Sequence, residues 1–204
     1  MSAARIPLFP LNIVLFPARA VPLHIFEPRY REMTRHCIAT QSPFGVVFTE
    51  SNKPANVGCT ALIQQTVKEY EDGRSDILTV AQRVFRWLRL HNDKPYFEAD
   101  VEFVEDTPET PDPDQARELE TLFRQCHRIL SHVDPPAHQA GESFAYHVGS
   151  ELPLDNPFRQ NLLELRSERE RQRSLIERLS DWKPQLQQRE HVRAKATGNG
   201  HGKL

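Results

Sequence analysis

The sequence predicts an α+β protein: a small β barrel with one inserted helix, followed by a helical bundle lobe. Three observations carry this. The first half holds short apolar runs rich in β-branched and aromatic residues, punctuated by prolines. An acidic, proline-rich stretch at 105–114 (EDTPETPDPD) then interrupts all periodicity. Beyond it, apolar residues recur at helical spacing. The expected organisation is a barrel lobe over 1–107, a helical lobe over 108–190 and a disordered tail over 191–204.

Residues 5–11 (RIPLFPL) and 13–26 carry Pro7, Pro10, Pro17 and Pro22. Proline at this density excludes helix and central ladder positions, leaving short, bent or edge strands. Pro28 opens a helix through residue 41, with Tyr30, Met33, Cys37 and Ile38 at helical spacing. Four strands are expected at 44–49, 58–70, 77–90 and 96–104. The middle pair flanks Asp72-Gly73, which favours a reversal with positive φ and so predicts a hairpin. Alternation breaks at Val84-Phe85, which predicts a bulge or burial on both faces. Five or more short strands with a helix suggest a partly closed barrel.

In the second half, Asp114 can cap a helix reaching about residue 133, with Leu119, Leu122, Phe123, Cys126, Ile129 and Leu130 as its apolar stripe. Asp134-Pro135-Pro136 ends it. Further helices are expected at 142–152, from about 155, and as a last long one to about 188. The charge run at 166–174 (RSERERQRS) reads as a solvated face. The last residues, with three closely spaced glycines, read as disordered.

Composition sets limits on function. Over 204 residues the formal net charge is −2, so no global attraction to nucleic acid or anionic membrane is expected. Three widely spaced cysteines argue against a disulfide framework and fit a reducing compartment. No apolar run approaches the roughly 18 residues of a membrane span, and the opening residues lack the apolar core of a leader. The cytoplasm is the expected location.

Catalytic signatures are weak. The glycine-rich 198–203 (GNGHGK) is one residue short of a phosphate-binding loop and lacks its hydroxyl. Ser150 follows Gly149 but sits in no nucleophile elbow, and reads as a helical serine. His36-Cys37 and Cys126-His127 are adjacent on helices, so each pair points about 100° apart and shares no focus. His132 and His138 flank the Asp134-Pro135-Pro136 stop too loosely for a metal site, and no C-x-x-C or H-E-x-x-H occurs. The expectation is a non-enzyme with no cofactor and no metal.

One pattern is specific. Ile6-Pro7-Leu8-Phe9-Pro10-Leu11, then Val14-Leu15-Phe16-Pro17, then the run from Pro22 to Arg31 (PLHIFEPRYR) resemble the opening of the Lon N-terminal domain family, PLFPL…vLFPg…PLhiFEpRYr. Later segments are similar too: Val57-Gly58-Cys59-Thr60-Ala61, Asp72-Gly73-Arg74, Lys94-Pro95-Tyr96-Phe97, and Arg159-Gln160-Asn161-Leu162-Leu163-Glu164. Ala18 stands where many members have glycine, and is read as a position that tolerates Cβ. The resemblance covers about residues 5–188.

The resemblance implies a PUA-like barrel, a helical lobe and a free-standing module that recognises unfolded or specific protein substrates. It also implies an ATP-dependent protease as partner, with ATPase and peptidase chemistry carried elsewhere. Phe9, Phe16, Leu23, Phe26, Arg29, Tyr30 and Arg31 are the candidate peptide-binding residues; for each apolar one taken singly core packing is the first reading, and Arg29 and Arg31 are the better surface candidates. Two alternatives remain. One is RNA binding through the PUA-like barrel, with Arg83, Arg86 and Arg89 along one strand, although the acidic balance and the missing basic loop argue against it. The other is an oligomerisation or regulatory subunit of an ATP-dependent protease, using the helical lobe.

Overall fold

The structure, a computed structural model, describes residues 4–51, 53–139 and 141–198. Six strands, β1 (Ala4–Leu11), β2 (Ala20–Ile25), β3 (Phe44–Glu50), β4 (Lys53–Glu69), β5 (Ser75–His91) and β6 (Glu98–Phe103), form one mixed sheet. Helix α1 (Pro28–Thr40) separates β2 from β3. Four more helices follow: α2 (Pro113–Ser131), α3 (Phe144–Glu151), α4 (Asn156–Glu164) and α5 (Glu168–Gly198). Two compact units result. One comprises the described residues up to Asp106 with Leu154–Arg166; the other comprises Thr107–Pro153 and the described residues from Ser167 on.

Strand order is β2-β5-β4-β3-β1-β6, and β6 pairs again with β5. Five strands thus close a ring, with β2 as an extra strand on the flank of β5. Closure depends on β1, which changes neighbours halfway. Residues Ala4 to Pro7 pair antiparallel with β6, whereas Leu8 to Leu11 pair parallel with β3. Each half therefore has one side without a ladder. That arrangement tolerates Pro7 and Pro10, which lack a donor, inside a strand that is interior in the sheet order. Pro22 lies on the flanking strand β2, opposite Leu78.

The middle of the ring is filled by Ile6, Leu8, Val47, Phe85, Ala99 and Val101. Phe85 is fully buried and lies so close to Gly45 and Gly58 that a Cβ at either would meet its ring within 2.8 Å. A larger cluster lies on the other face, where Tyr30, Met33 and Cys37 of α1 cover Phe9, Phe44, Val46, Cys59, Ala61 and Ile77. The alternation of neighbours such as Leu8/Phe9 and Val46/Val47 between two clusters is the period-2 geometry of strands.

The hairpin expected at Asp72-Gly73 is present: the Gly73 N–H donates to the Tyr70 carbonyl, with φ at +81°. The break in alternation on β5 is a register shift between Ala81 and Val84, with a second between Trp87 and Arg89 against β6. Phe85 then points inward while Arg83 and Arg86 face solvent.

Four sequence expectations are corrected. Ala18 has φ +64°, so the chain there is left-handed, and the common glycine is the residue that geometry favours. Asp112, not Asp114, caps α2 by accepting from the Asp114 and Gln115 N–H groups, with Pro113 at the first helical position. In the same acidic stretch Glu109 accepts from the Ser167 hydroxyl and the Arg169 N–H at the start of α5. The charge run at 166–174 is not uniformly solvated: Arg171 is fully buried, with hydrogen bonds to Glu168 and the Tyr146 hydroxyl, and Gln172 is 7% exposed. Finally, residues 191–198 continue α5 as helix; 199–204, the rest of the expected tail, lie outside the described residues, as does most of the glycine-rich 198–203.

Helix α4 groups with the sheet unit, although the sequence places it in the helical stretch. Its Gln160 is buried and donates to the Val57 carbonyl of β4 at 3.0 Å, and Asn156 donates to the Asn12 carbonyl at 2.8 Å. The remaining helices pack among themselves around Leu119, Phe123, Val148, Leu175 and Leu179.

Candidate functional site

A groove of about 590 Å³ opens on the sheet unit where β1, β2 and the far end of β5 approach one another. Leu8 and Val47 reach its floor from the middle of the ring, and Phe9 and Tyr30 from the cluster under α1. Its walls are apolar side chains left in solvent: Phe26 is 56% exposed, Phe97 42% and Leu90 40%. Large apolar groups with that exposure, gathered around one concavity, make this groove the candidate site.

The groove arises from local sequence. The β2 strand ends at Ile25, which is buried, so alternation turns Phe26 outward. Pro28 then starts α1 at once, with its first turn closed by the Tyr30 and Arg31 N–H groups on the Glu27 carbonyl. That short link places Phe26, Glu27, Arg29 and Tyr30 along one rim. Opposite in sequence, the register shift after Trp87 and the adjacent aromatics Tyr96 and Phe97 do the same: Tyr96 is buried and Phe97 is not. The Trp87 indole N–H is held by the Ala55 carbonyl at 2.9 Å, which fixes its ring in the lining.

Polar groups are few; most are engaged, while the buried Thr49 hydroxyl has no partner among the described residues. Arg29 pairs with Glu27 at 2.8 Å and lies 4.5 Å from the centroid of the Tyr30 ring. Burial pushes the Tyr30 phenol up, against the opposing pull of Arg29. His24 contacts Asp76 at 2.6 Å and stacks beside Phe26, with ring centroids 6.0 Å apart. The bonds from His24 and Tyr70 hold the Asp76 carboxyl below its ordinary range. Beyond Leu8, whose N–H donates to the Phe97 carbonyl, β1 has a ladder on one side only; β2 likewise pairs only with β5. Both strands contribute to the lining, so an extended chain could meet apolar side chains and unpaired backbone together.

Of the seven candidate peptide-binding residues, five line this groove: Phe9, Leu23, Phe26, Arg29 and Tyr30. Phe16 does not; it is 2% exposed and belongs to the interior. Arg31 faces away, donating to the Phe26 carbonyl at 2.9 Å and the Asp72 carbonyl at 2.6 Å, which ties α1 to the β4–β5 hairpin. Sequence reasoning missed Trp87, Leu90 and Phe97. The signal was the Tyr96-Phe97 pair, since neighbouring aromatics on an extended chain cannot both turn inward.

Among the described residues the lining contains no serine, cysteine or lysine. All three cysteines are buried; burial pushes the Cys37 thiol up to about 11 and the Cys59 thiol up to about 12, and raises Cys126 as well. Such thiols stay protonated at neutral pH and make poor nucleophiles. Ser150 donates to the Tyr146 carbonyl one turn earlier, as a helical serine does. Among the described residues no group of three or more His, Cys, Asp or Glu is placed to hold a metal ion, and no helix is long and apolar enough to cross a membrane. Arg83 is committed to Glu105 at 2.6 Å and to the Phe103 ring at 3.8 Å.

Comparisons with known proteins show the family and the fold. The family model described as the ATP-dependent protease La (LON) substrate-binding domain matches residues 5–181. A Lon protease of Parabacteroides distasonis is 30% identical over 127 residues, which is 58% of this chain and 15% of that protein. The chain thus corresponds to a small part of that relative's length. The crystal structure of a Lon N-terminal domain protein from Xanthomonas campestris aligns with a TM-score of 0.67 at 27% identity, covering 88% of this chain and 98% of that one. The N-terminal domain of a Mycobacterium avium complex Lon protease aligns at 0.59 and 16% identity, covering 87% and 99%, and shares the fold.

Proposed function

Since the chain belongs to the ATP-dependent protease La (LON) substrate-binding domain family, we propose that it is a non-catalytic recognition module that takes extended apolar polypeptide segments into the groove beside Phe26. The observation that carries this reading is the convergence of exposed Phe26, Leu90 and Phe97 around one concavity bordered by unpaired strand edges. An unfolded chain offers the complementary features, apolar side chains and free backbone groups, at the same time. A folded protein hides both. The groove therefore selects clients by their loss of structure.

Chemistry on the client would come from an ATP-dependent protease, as the Lon relative suggests, and the cytoplasm is the compartment where such clients and reduced thiols coexist. The test is titration of a labelled unstructured peptide with aromatic and aliphatic residues, against a counterpart with those residues replaced by serine. The expected result is binding of the apolar peptide only, at about micromolar strength or weaker, with a negative heat-capacity change. Absence of saturable binding across a varied peptide set would sink the proposal.

A further inference from the structure

On the other side of α1 from the groove lies a second concavity of about 420 Å³, between that helix and the β4–β5 hairpin. Arg31, Thr34, Arg35 and Ile38 recur at helical spacing and form its α1 wall. Thr66, Arg74 and Ser75 face them from the hairpin. Two features there lack an explanation in the fold. The Thr34 hydroxyl is buried, in a residue 3% exposed, and has no hydrogen-bond partner among the described residues. Buried hydroxyls left unpaired are uncommon and costly, so a partner from outside is the economical account. The Arg35 guanidinium is the second: its hydrogen bond is a long one, 3.4 Å, to the Arg31 carbonyl, and among the described residues no carboxylate pairs with it.

The charge of the lining is opposite in sign to that of the chain. Overall the protein carries −2. The lining carries three arginines, Arg31, Arg35 and Arg74, and one carboxylate, Glu69; Asp72, bound by Arg74 at 2.6 Å, and Asp76, bound by the Tyr70 hydroxyl at 2.8 Å, lie beside it. Arg35 is the arginine of this wall with no carboxylate partner among the described residues, and it stands one position from the unpaired Thr34 hydroxyl. We propose that this cleft binds a phosphate-class oxyanion, held by Thr34 Oγ1 and Arg35 from α1 and by Arg74 and Ser75 from the hairpin. Donors arriving from two elements suit a tetrahedral group, which presents oxygens on both sides, better than a planar carboxylate. The anion would clasp the hairpin to α1, reinforcing the tie that Arg31 makes to the Asp72 carbonyl. This site is separate from the groove and does not depend on the peptide-binding proposal.

The experiment titrates the protein with inorganic phosphate at constant ionic strength, balanced by sodium chloride, following heat and the thermal midpoint. Saturable binding with Kd about millimolar or tighter is expected, weakened about tenfold in Arg35→Gln and in Thr34→Val. Both variants should keep the phosphate-free fold, because Arg35 is exposed and valine matches threonine in shape. Phosphate indistinguishable from chloride, or a response that persists in both variants, overturns the proposal, as does acetate binding as tightly as phosphate. A second arm compares a phosphoserine peptide with its serine form. Tighter binding of the phosphopeptide than of inorganic phosphate identifies a protein-borne group, equal binding identifies a small free anion, and no preference for the phosphorylated form counts against the site.

Discussion

The Arg171 guanidinium donates to the Tyr146 hydroxyl at 2.9 Å and sits 4.3 Å from the centroid of the same ring. Glu168, one turn earlier on α5, contacts Arg171 at 3.2 Å and also accepts from the Ser143 hydroxyl and the Ala145 N–H at the start of α3. A cation, an aromatic and a helix cap thus lock α3 onto α5. Arg171→Ala should destabilise the helical unit by about 3 kcal/mol, because it strands buried partners and opens a void. Trp182 lies in that unit and Trp87 in the other, so variants retaining one tryptophan each would report the two separately during urea unfolding. Equal loss at both probes, or none, would contradict this assignment.

Ala18 is the converse case, a residue whose backbone works against it. At φ +64° its N–H donates to the Ala81 carbonyl, while the Ala81 N–H donates to the Arg19 carbonyl. The left-handed turn is thus needed to dock this loop on β5. A Cβ there costs about 1–2 kcal/mol, of which the greater freedom of unfolded glycine returns about half. Ala18→Gly should therefore raise stability by about 0.5–1 kcal/mol, seen as a higher urea midpoint with unchanged slope.

Acid should act through Glu98. Burial opposes its ionisation, but Lys94 at 2.9 Å and Arg5 at 2.8 Å together hold its carboxyl below the ordinary value of 4.5. Between the folded and unfolded pKa values the unfolded chain binds more protons, so this stabilisation is present above about pH 4.5 and is lost as pH falls through the folded value. Arg5 is 41% exposed, which discounts the worth of its pair. Glu98→Gln should cost about 1–2 kcal/mol at pH 7 and flatten the decline of stability below pH 4.5.

In the groove, Phe26→Ala and Phe97→Ala remove exposed walls and should leave folding intact. Each should weaken peptide binding about tenfold, as truncation of an aromatic anchor does. The emission of Trp87, in the lining, should shift with peptide in the parent and lose that response in the double variant. Phe16→Leu should leave affinity unchanged, since Phe16 is not in the lining; a loss as large as that of Phe26→Ala would relocate the site.

Much of this was legible locally. Strands, the α1 start at Pro28 and the hairpin at Gly73 follow from runs, breakers and turn chemistry that a few residues settle among themselves. What was not legible depended on distant partners. Proline content identifies β1 as a poor ladder strand, but not that it divides itself between β6 and β3. Arg171 reads as a surface charge until Tyr146, 25 positions earlier, is brought against it. Half the groove could be read from the segment around Phe26, because those residues are contiguous. Its second wall, from Trp87 to Phe97, is brought there by closure of the sheet, and Ala18 reads as permissive because φ is invisible in a letter.

The divided pairing of β1 bears on a hazard that any binder of unfolded chains runs: recruiting copies of itself. A continuous bare strand edge beside apolar side chains would template edge-to-edge growth as readily as it holds a client. Here the bare stretch of β1 is one half-strand long and interrupted by Pro10, and the flanking β2 is interrupted by Pro22. On the proposed function each would accept a short segment, but neither offers the uninterrupted donors that a fibril needs. Replacing both prolines with valine should leave the groove in place and speed thioflavin-positive aggregation; unchanged kinetics would show that these prolines serve the turns alone.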